Sequence, residues 1–174
     1  NQMTPLASAV DKGHLNMMKL LLDAKTHVDG ENGLAMLCAA RSGQAEAVQI
    51  LLDAKASLES RDRSGRSPLT YAISCGHAHV VTLLLTAKAA LVSPSKIDDA
   101  LTVASESDNT DIMKILIDAK APLETAAGKR SPLLAAMKKH NHHGIRLLLE
   151  AKATTDISGT QYADTILSHA LDMF

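Results

Sequence analysis

"TPLASAVDKGHLNMMKLLLDAK", residues 4–25, is followed by four further stretches that align with it without a gap. They are "LAMLCAARSGQAEAVQILLDAK" (34–55), "SPLTYAISCGHAHVVTLLLTAK" (67–88), "DALTVASESDNTDIMKILIDAK" (99–120) and "SPLLAAMKKHNHHGIRLLLEAK" (131–152). Their closing lysines, Lys25, Lys55, Lys88, Lys120 and Lys152, lie 30, 33, 32 and 32 residues apart. A period in this range marks stacked supersecondary units, each too small to bury its own apolar face and therefore dependent on its neighbours.

The interior of each copy predicts two helices. Thr4, Ser67, Asp99 and Ser131 stand where a side-chain oxygen can cap a helix N-terminus, and Pro5, Pro68 and Pro132 follow in the first turn, where a missing N–H costs nothing. About nine residues on, Gly13, Gly43 and Gly76 interrupt the pattern, with Asp108 and His140 in the same place, and this predicts a turn. Apolar residues then recur at helical spacing, as in Val48, Leu51 and Leu52 or Val80, Val81, Leu84 and Leu85. Between copies lie 8 to 11 residues rich in turn formers ("DGENG", "SRDRSGR", "VSPSK", "AAGKR"), which predict bends or hairpins.

These features resemble the ankyrin-repeat family, whose unit of about 33 residues opens on T-P-L, carries a central G-H and closes on leucines. The matches are "TPL" with Gly13-His14, "SPL" with Gly76-His77, "SPL" at 131–133, and the "LLL" runs. The resemblance implies an all-α, right-angled α-solenoid of stacked helix-turn-helix repeats joined by hairpin-like loops. Its units would span residues 1–28, 29–58, 59–91, 92–123 and 124–155, with a partial sixth at 156–174 opened by "TILSHAL". The second unit departs from the pattern. Leu34 and Ala35 replace the Thr-Pro pair and the preceding connection is about three residues shorter, which predicts a truncated hairpin and weaker local order.

Composition agrees and excludes other classes. Hydrophobic residues make up 46% of the chain but aromatics only 2%, so Ala, Leu, Ile, Val and Met must form the core, a set that favours helices. A net charge of −1 lacks the basic excess of a general nucleic-acid binder, and two Tyr with one Phe leave little for base stacking. Two cysteines, Cys38 and Cys75, are too few for a disulfide framework, so an intracellular setting, cytoplasmic or nuclear, is expected. No apolar run approaches the roughly 20 residues of a membrane span, and no signal-peptide pattern opens the chain. The start at Asn1, just before a unit begins, suggests an excerpt from a longer protein.

The lysine is the largest departure, because ankyrin units usually place glycine there. Glycine ends helices by entering the left-handed conformation without a Cβ penalty, and a lysine forced into it loses roughly 1 kcal/mol. Three accounts are open. The helix could end without lysine becoming left-handed, or with its ammonium bonding the last carbonyls. The lysines could instead form a ladder for an acidic partner, or they could be copies of a tolerated residue. Asp23, Asp53, Asp118 and Glu150 stand two residues before a lysine and leave the row close to neutral, which disfavours the ladder.

No Gly-rich phosphate loop, nucleophile elbow or H-E-x-x-H pattern occurs, so no catalytic residue, cofactor or metal is assigned and the chain reads as a non-enzyme. His140, His142 and His143 fall at a turn and lack a fourth ligand, so a solvated turn is the simpler reading than a weak metal site. His14 and His77 read as packing and hydrogen-bonding residues, and Cys38 as core.

By resemblance, a partner would bind along a concave surface of hairpin tips and exposed first-helix ends. The tips here are Glu31 and Asn32, then Arg63, Ser64 and Arg66, then Ser95 and Lys96, then Lys129 and Arg130. The helix ends are Asp11 and Lys12, Arg41 and Ser42, Ser74 and Cys75, Glu106 and Ser107, and Lys138 and Lys139. These positions vary between copies while the core positions repeat. Arg41, Arg63, Ser64, Arg66, Ser74, Glu106, Lys129, Arg130, Lys138 and Lys139 are therefore the expected partner-binding residues. They form either a solvated rim or, in the sharper reading, a surface for an acidic peptide or protein. The isolated domain is expected to be monomeric, without nucleic acid or membrane insertion. An alternative makes it the substrate-targeting arm of a larger enzyme or effector, of the ubiquitin-ligase adaptor or pathogen-effector type.

Overall fold

The structure, a computed structural model, describes residues 3–89, 100–107, 109–123 and 131–151, with residues 31 and 32 described in their backbone alone. The predicted Asp99 cap, the Asp108 turn, Lys152 and the partial sixth unit lie outside these residues. The described residues form ten α-helices in pairs. They are α1 (Pro5–Asp11) and α2 (Leu15–Asp23), α3 (Gly30–Arg41) and α4 (Ala45–Asp53), α5 (Pro68–Ser74) and α6 (Ala78–Thr86), α7 (Ala100–Glu106) and α8 (Thr110–Asp118), and α9 (Pro132–Lys138) and α10 (His142–Glu150).

Local chemistry sets these boundaries. Thr4, Ser67 and Ser131 each accept a hydrogen bond from the backbone N–H three residues on, at 3.1, 3.2 and 3.1 Å, and a proline occupies the first turn of the helix that follows. Both helices of a pair end in the same way. After α4, Lys55 N–H donates to Leu52 O and Ala56 N–H to Leu51 O, each at 2.9 Å. After α5, Gly76 N–H donates to Ile73 O and His77 N–H to Ala72 O. This pair of bonds closes the last turn around one left-handed residue, a Schellman motif.

The lysines occupy that left-handed residue. Lys25, Lys55, Lys88 and Lys120 have φ of 56, 64, 65 and 60°, and His140 has 55° at the end of α9. Of the accounts left open by the sequence, a helix end that keeps lysine out of this state is therefore ruled out at these four positions. Ammonium capping fails as well, since no side-chain hydrogen bond from these four lysines occurs among the described residues. What satisfies the last carbonyls is the backbone pair of the motif itself, with buried Ala56, Ala89 and Ala121 seated at the following position.

The second unit also differs from expectation. No truncated hairpin precedes it. The helix extends back through the connection to Gly30, so residues 31 and 32, expected at a loop tip, lie within α3. The sequence omits three residues here, and a single helical turn spans the shorter gap. Gly33 breaks that turn from the rest of α3 with φ +70°, and a Cβ there would collide with the Ser60 side chain.

The contacts divide the chain into two units, Asn1–Asp98 and Asp99–Phe174. In the first, α1, α3 and α5 pack in one layer and α2, α4 and α6 in a second. In the second, α7 packs on α9 and α8 on α10. Ala9, Ala39, Ala72, Ala104 and Ala136 occupy one equivalent position in the five pairs, and all are buried. A methyl group there lets first helices pack closely, which is why a core of Leu, Ile, Val and Met suffices with few aromatics. Cys38 is buried among them, and burial raises its thiol pKa above the usual range despite the nearby Arg41.

Candidate functional site

The first helices α1, α3, α5 and α9 each end in a reversal around a left-handed residue, Gly13, Gly43, Gly76 or His140. Asp11, Lys12, Arg41, Ser42, Ser74, Cys75, Glu106, Ser107, Lys138 and Lys139 are all exposed. The ten positions read from sequence as helix ends therefore share one environment within each unit, although their side chains differ in charge and size.

In the first unit several charges are paired within the fold, although Lys12 is exposed without an ion pair among the described residues. Arg41 Nη2 lies 3.2 Å from Asp11 Oδ1, joining the equivalent positions of consecutive repeats. The His77 Nε2 atom lies 3.0 Å from Arg41 O, and its ring fills the space where a Cβ on Gly43 would stand, so His77 works as a packing and hydrogen-bonding residue. One repeat earlier, Gln44 takes the place of that histidine. The space over Gly13 is open there, and Gln44 Oε1 is buried without a partner.

The loop between α4 and α5 forms a tight hairpin turn. Asp62 N–H donates to Arg66 O at 3.1 Å and Gly65 N–H to Asp62 O at 3.0 Å, leaving Arg63 and Ser64 exposed at the tip. Asp62 organises the turn. Its carboxylate accepts from Ser64 N–H (2.8 Å), Arg66 N–H (2.9 Å), Arg66 Nε (3.1 Å) and Tyr71 Oη (2.7 Å). Partial burial raises the carboxyl pKa, but the bonds from Tyr71, Arg66 and Ser64 together outweigh it and the net shift is downward. Burial and the bond to Asp62 raise Tyr71 in turn. Arg66 also stacks over the Tyr71 ring, 4.6 Å from its centroid, while Arg61 donates to Gly65 O at 2.8 Å and pairs with Glu59 at 3.6 Å. Arg66 is thus a builder of the loop as much as an exposed charge.

Asp62 and Tyr71 were not singled out from sequence. The available signal was "DRSGR": an aspartate two residues before a serine and three before a glycine is the pattern of a side-chain-closed turn.

In the second unit, Lys138 and Lys139 end α9 and make no ion pair among the described residues, and the His140 ring beside them is exposed. The tips Ser95, Lys96, Lys129 and Arg130 lie outside the described residues. His140, His142 and His143 are exposed, and no group of His, Cys, Asp and Glu suited to a metal occurs among the described residues. No described helix is long and apolar enough to cross a membrane.

Within each unit, helix pairs are built on one repeated plan with different side chains at their exposed ends, which defines a helical repeat protein. The profile for ankyrin repeats in three copies matches residues 6–95, and the chain belongs to the ankyrin-repeat family. It is similar to the crystal structure of the human ASB11 ankyrin repeat domain, with 23% identity, 88% of this chain and 72% of that chain covered, and a TM-score of 0.78. No curated protein matches the sequence. Ankyrin repeats generally mediate protein–protein interaction and are typically non-catalytic.

Proposed function

We propose that the chain is a monomeric, non-catalytic binding module that holds an acidic protein or peptide at its first-helix ends and loop tips, with Lys138 and Lys139 as the principal contacts. The observation that carries this reading is a difference in pairing. Arg41, Arg61 and Arg66 each lie against a carboxylate of their own unit, whereas Lys138 and Lys139 are exposed without one among the described residues. Charges already engaged in the fold contribute little to a partner, and unengaged ones steer and hold it. Arg63, Ser64 and Ser74 add exposed contacts in the first unit, Glu106 holds the position equivalent to Lys138 one repeat earlier, and Lys129 and Arg130 belong to the same proposal.

A fluorescent glutamate-rich peptide provides the test. Its binding to the 174-residue chain is expected to weaken steeply with salt. Lys138→Glu with Lys139→Glu should reduce affinity by about tenfold or more, while Arg41→Ala should leave it within about twofold. An unchanged affinity in the double reversal eliminates this patch.

A further inference from the structure

The stretch "RDRSGRSPL", residues 61–69, carries two serines among three arginines, and the fold gives the serines opposite environments. Ser67 is 8% exposed, and its hydroxyl is engaged at the start of α5, accepting from Thr70 N–H at 3.2 Å and bonding Thr70 Oγ1 at 3.0 Å. Ser131, which also follows an arginine, is half-buried and caps α9. Ser64 stands exposed at the tip of the turn, and its hydroxyl makes no hydrogen bond among the described residues. Arg61 and Arg63 lie three residues and one residue before it, and Arg66 two residues after it.

An exposed hydroxyl flanked on both sides by guanidinium groups suits a kinase whose peptide groove is lined with carboxylates, since each arginine fork pairs with one. We infer that Ser64 is a phosphorylation site for an arginine-directed serine kinase, and that the Asp62 clamp limits its use. In the transfer, Ser64 Oγ forms a bond to the γ-phosphorus of the kinase's ATP and the bond from that phosphorus to the β–γ bridging oxygen breaks. ADP leaves, and the hydroxyl proton passes to the kinase's catalytic carboxylate. A groove reads arginines on both sides of the acceptor only when the segment is drawn out. Here the Ser64 and Arg66 N–H groups both donate to Asp62 Oδ1, at 2.8 and 2.9 Å, and Tyr71 Oη anchors that carboxylate at 2.7 Å. Arg61 is held as well, donating to Gly65 O at 2.8 Å. The turn must therefore open before transfer, and the strength of its clamp sets the rate. Once attached, the phosphate brings a charge of about −2 to residues 59–66, where three arginines outnumber Glu59 and Asp62, and so reverses the sign of the tip.

The 174-residue chain is incubated with ATP and the catalytic domain of protein kinase C, a kinase that selects arginine-flanked serines, and the modified residue is located by mass spectrometry of its peptides. Phosphate is expected on Ser64, and Ser64→Ala should remove it. Tyr71→Phe leaves the arginines in place but deletes one anchor of the clamp, so it should speed modification of Ser64 by about threefold or more. In a free peptide of residues 58–72, where no turn is held, the same substitution should leave the rate unchanged. Phosphate confined to Ser64 in the Tyr71→Phe chain supports a turn that opens within a folded protein, because unfolding would release Ser67 as well. A chain left unmodified while the peptide accepts phosphate overturns the site, as does a peptide that is itself refused or phosphate on Ser67 in place of Ser64. Equal rates in the parent and Tyr71→Phe chains overturn the clamp. Phosphate incorporation is read without any partner, so it stands or falls apart from the acidic-peptide binding.

Discussion

Lysine at a left-handed position carries a Cβ that crowds its own carbonyl, and four described lysines do so at φ of 56 to 65°. Nothing about the contacts of Lys55 requires its side chain: it is exposed, and the two bonds that close the helix come from backbone N–H groups that any residue but proline supplies. Lys55→Gly is therefore expected to stabilise the protein by about 1 kcal/mol, the steric relief exceeding the added freedom of the unfolded chain. Urea denaturation of the single variant measures it; an unchanged or lowered midpoint would mean that the lysine stem makes a compensating contact. The conformation was not legible in the lysine itself. It was legible in the glycine usual at that position, because the hydrogen bonds that end the helix dictate φ whichever residue is present.

At the scale of elements, the helices were readable and the loops only in part. Caps, prolines and apolar spacing lie within a few residues of one another, so Thr4, Ser67 and Ser131 mark helix starts unaided. The 56–66 loop depends on Asp62 reaching Tyr71, nine residues on, in the following helix. That bond shapes the pH response of the loop. The Asp62 pKa is lower folded than unfolded, so its contribution is present above the unfolded carboxyl value of about 4 and disappears as pH falls through the folded one. The raised Tyr71 pKa contributes below about 10 and is lost as pH rises through the folded value. Tyr71→Phe should cost about 1 kcal/mol at neutral pH, and the difference from the parent should narrow in acid as Asp62 takes up its proton. Urea midpoints compared at pH 7 and in acid give the result. An equal loss at both would show that the carboxylate charge contributes nothing through this bond.

For the whole molecule, five gap-free copies made the fold plain, since a period constrains every position at once. The candidate site was harder, because its pairings join consecutive repeats. Arg41 looks like an available cation until it is set beside Asp11, which holds the same position one repeat earlier. Comparing equivalent positions in adjacent copies, as well as neighbours along the chain, would have exposed the pair. The same dependence between repeats governs stability. Leu51 is fully buried in α4, which packs on both α2 and α6. Leu51→Ala should cost about 2–5 kcal/mol, the range for a large aliphatic side chain removed from a close-packed site. Because a helix pair cannot bury its apolar face alone, the loss should spread beyond α3 and α4. Native-state hydrogen exchange is expected to show reduced protection in α1, α2, α5 and α6 as well, in proportion to their shared interfaces. Protection lost in α4 alone would mean that these repeats hold their structure individually, and that the nearest-neighbour account of this unit is wrong.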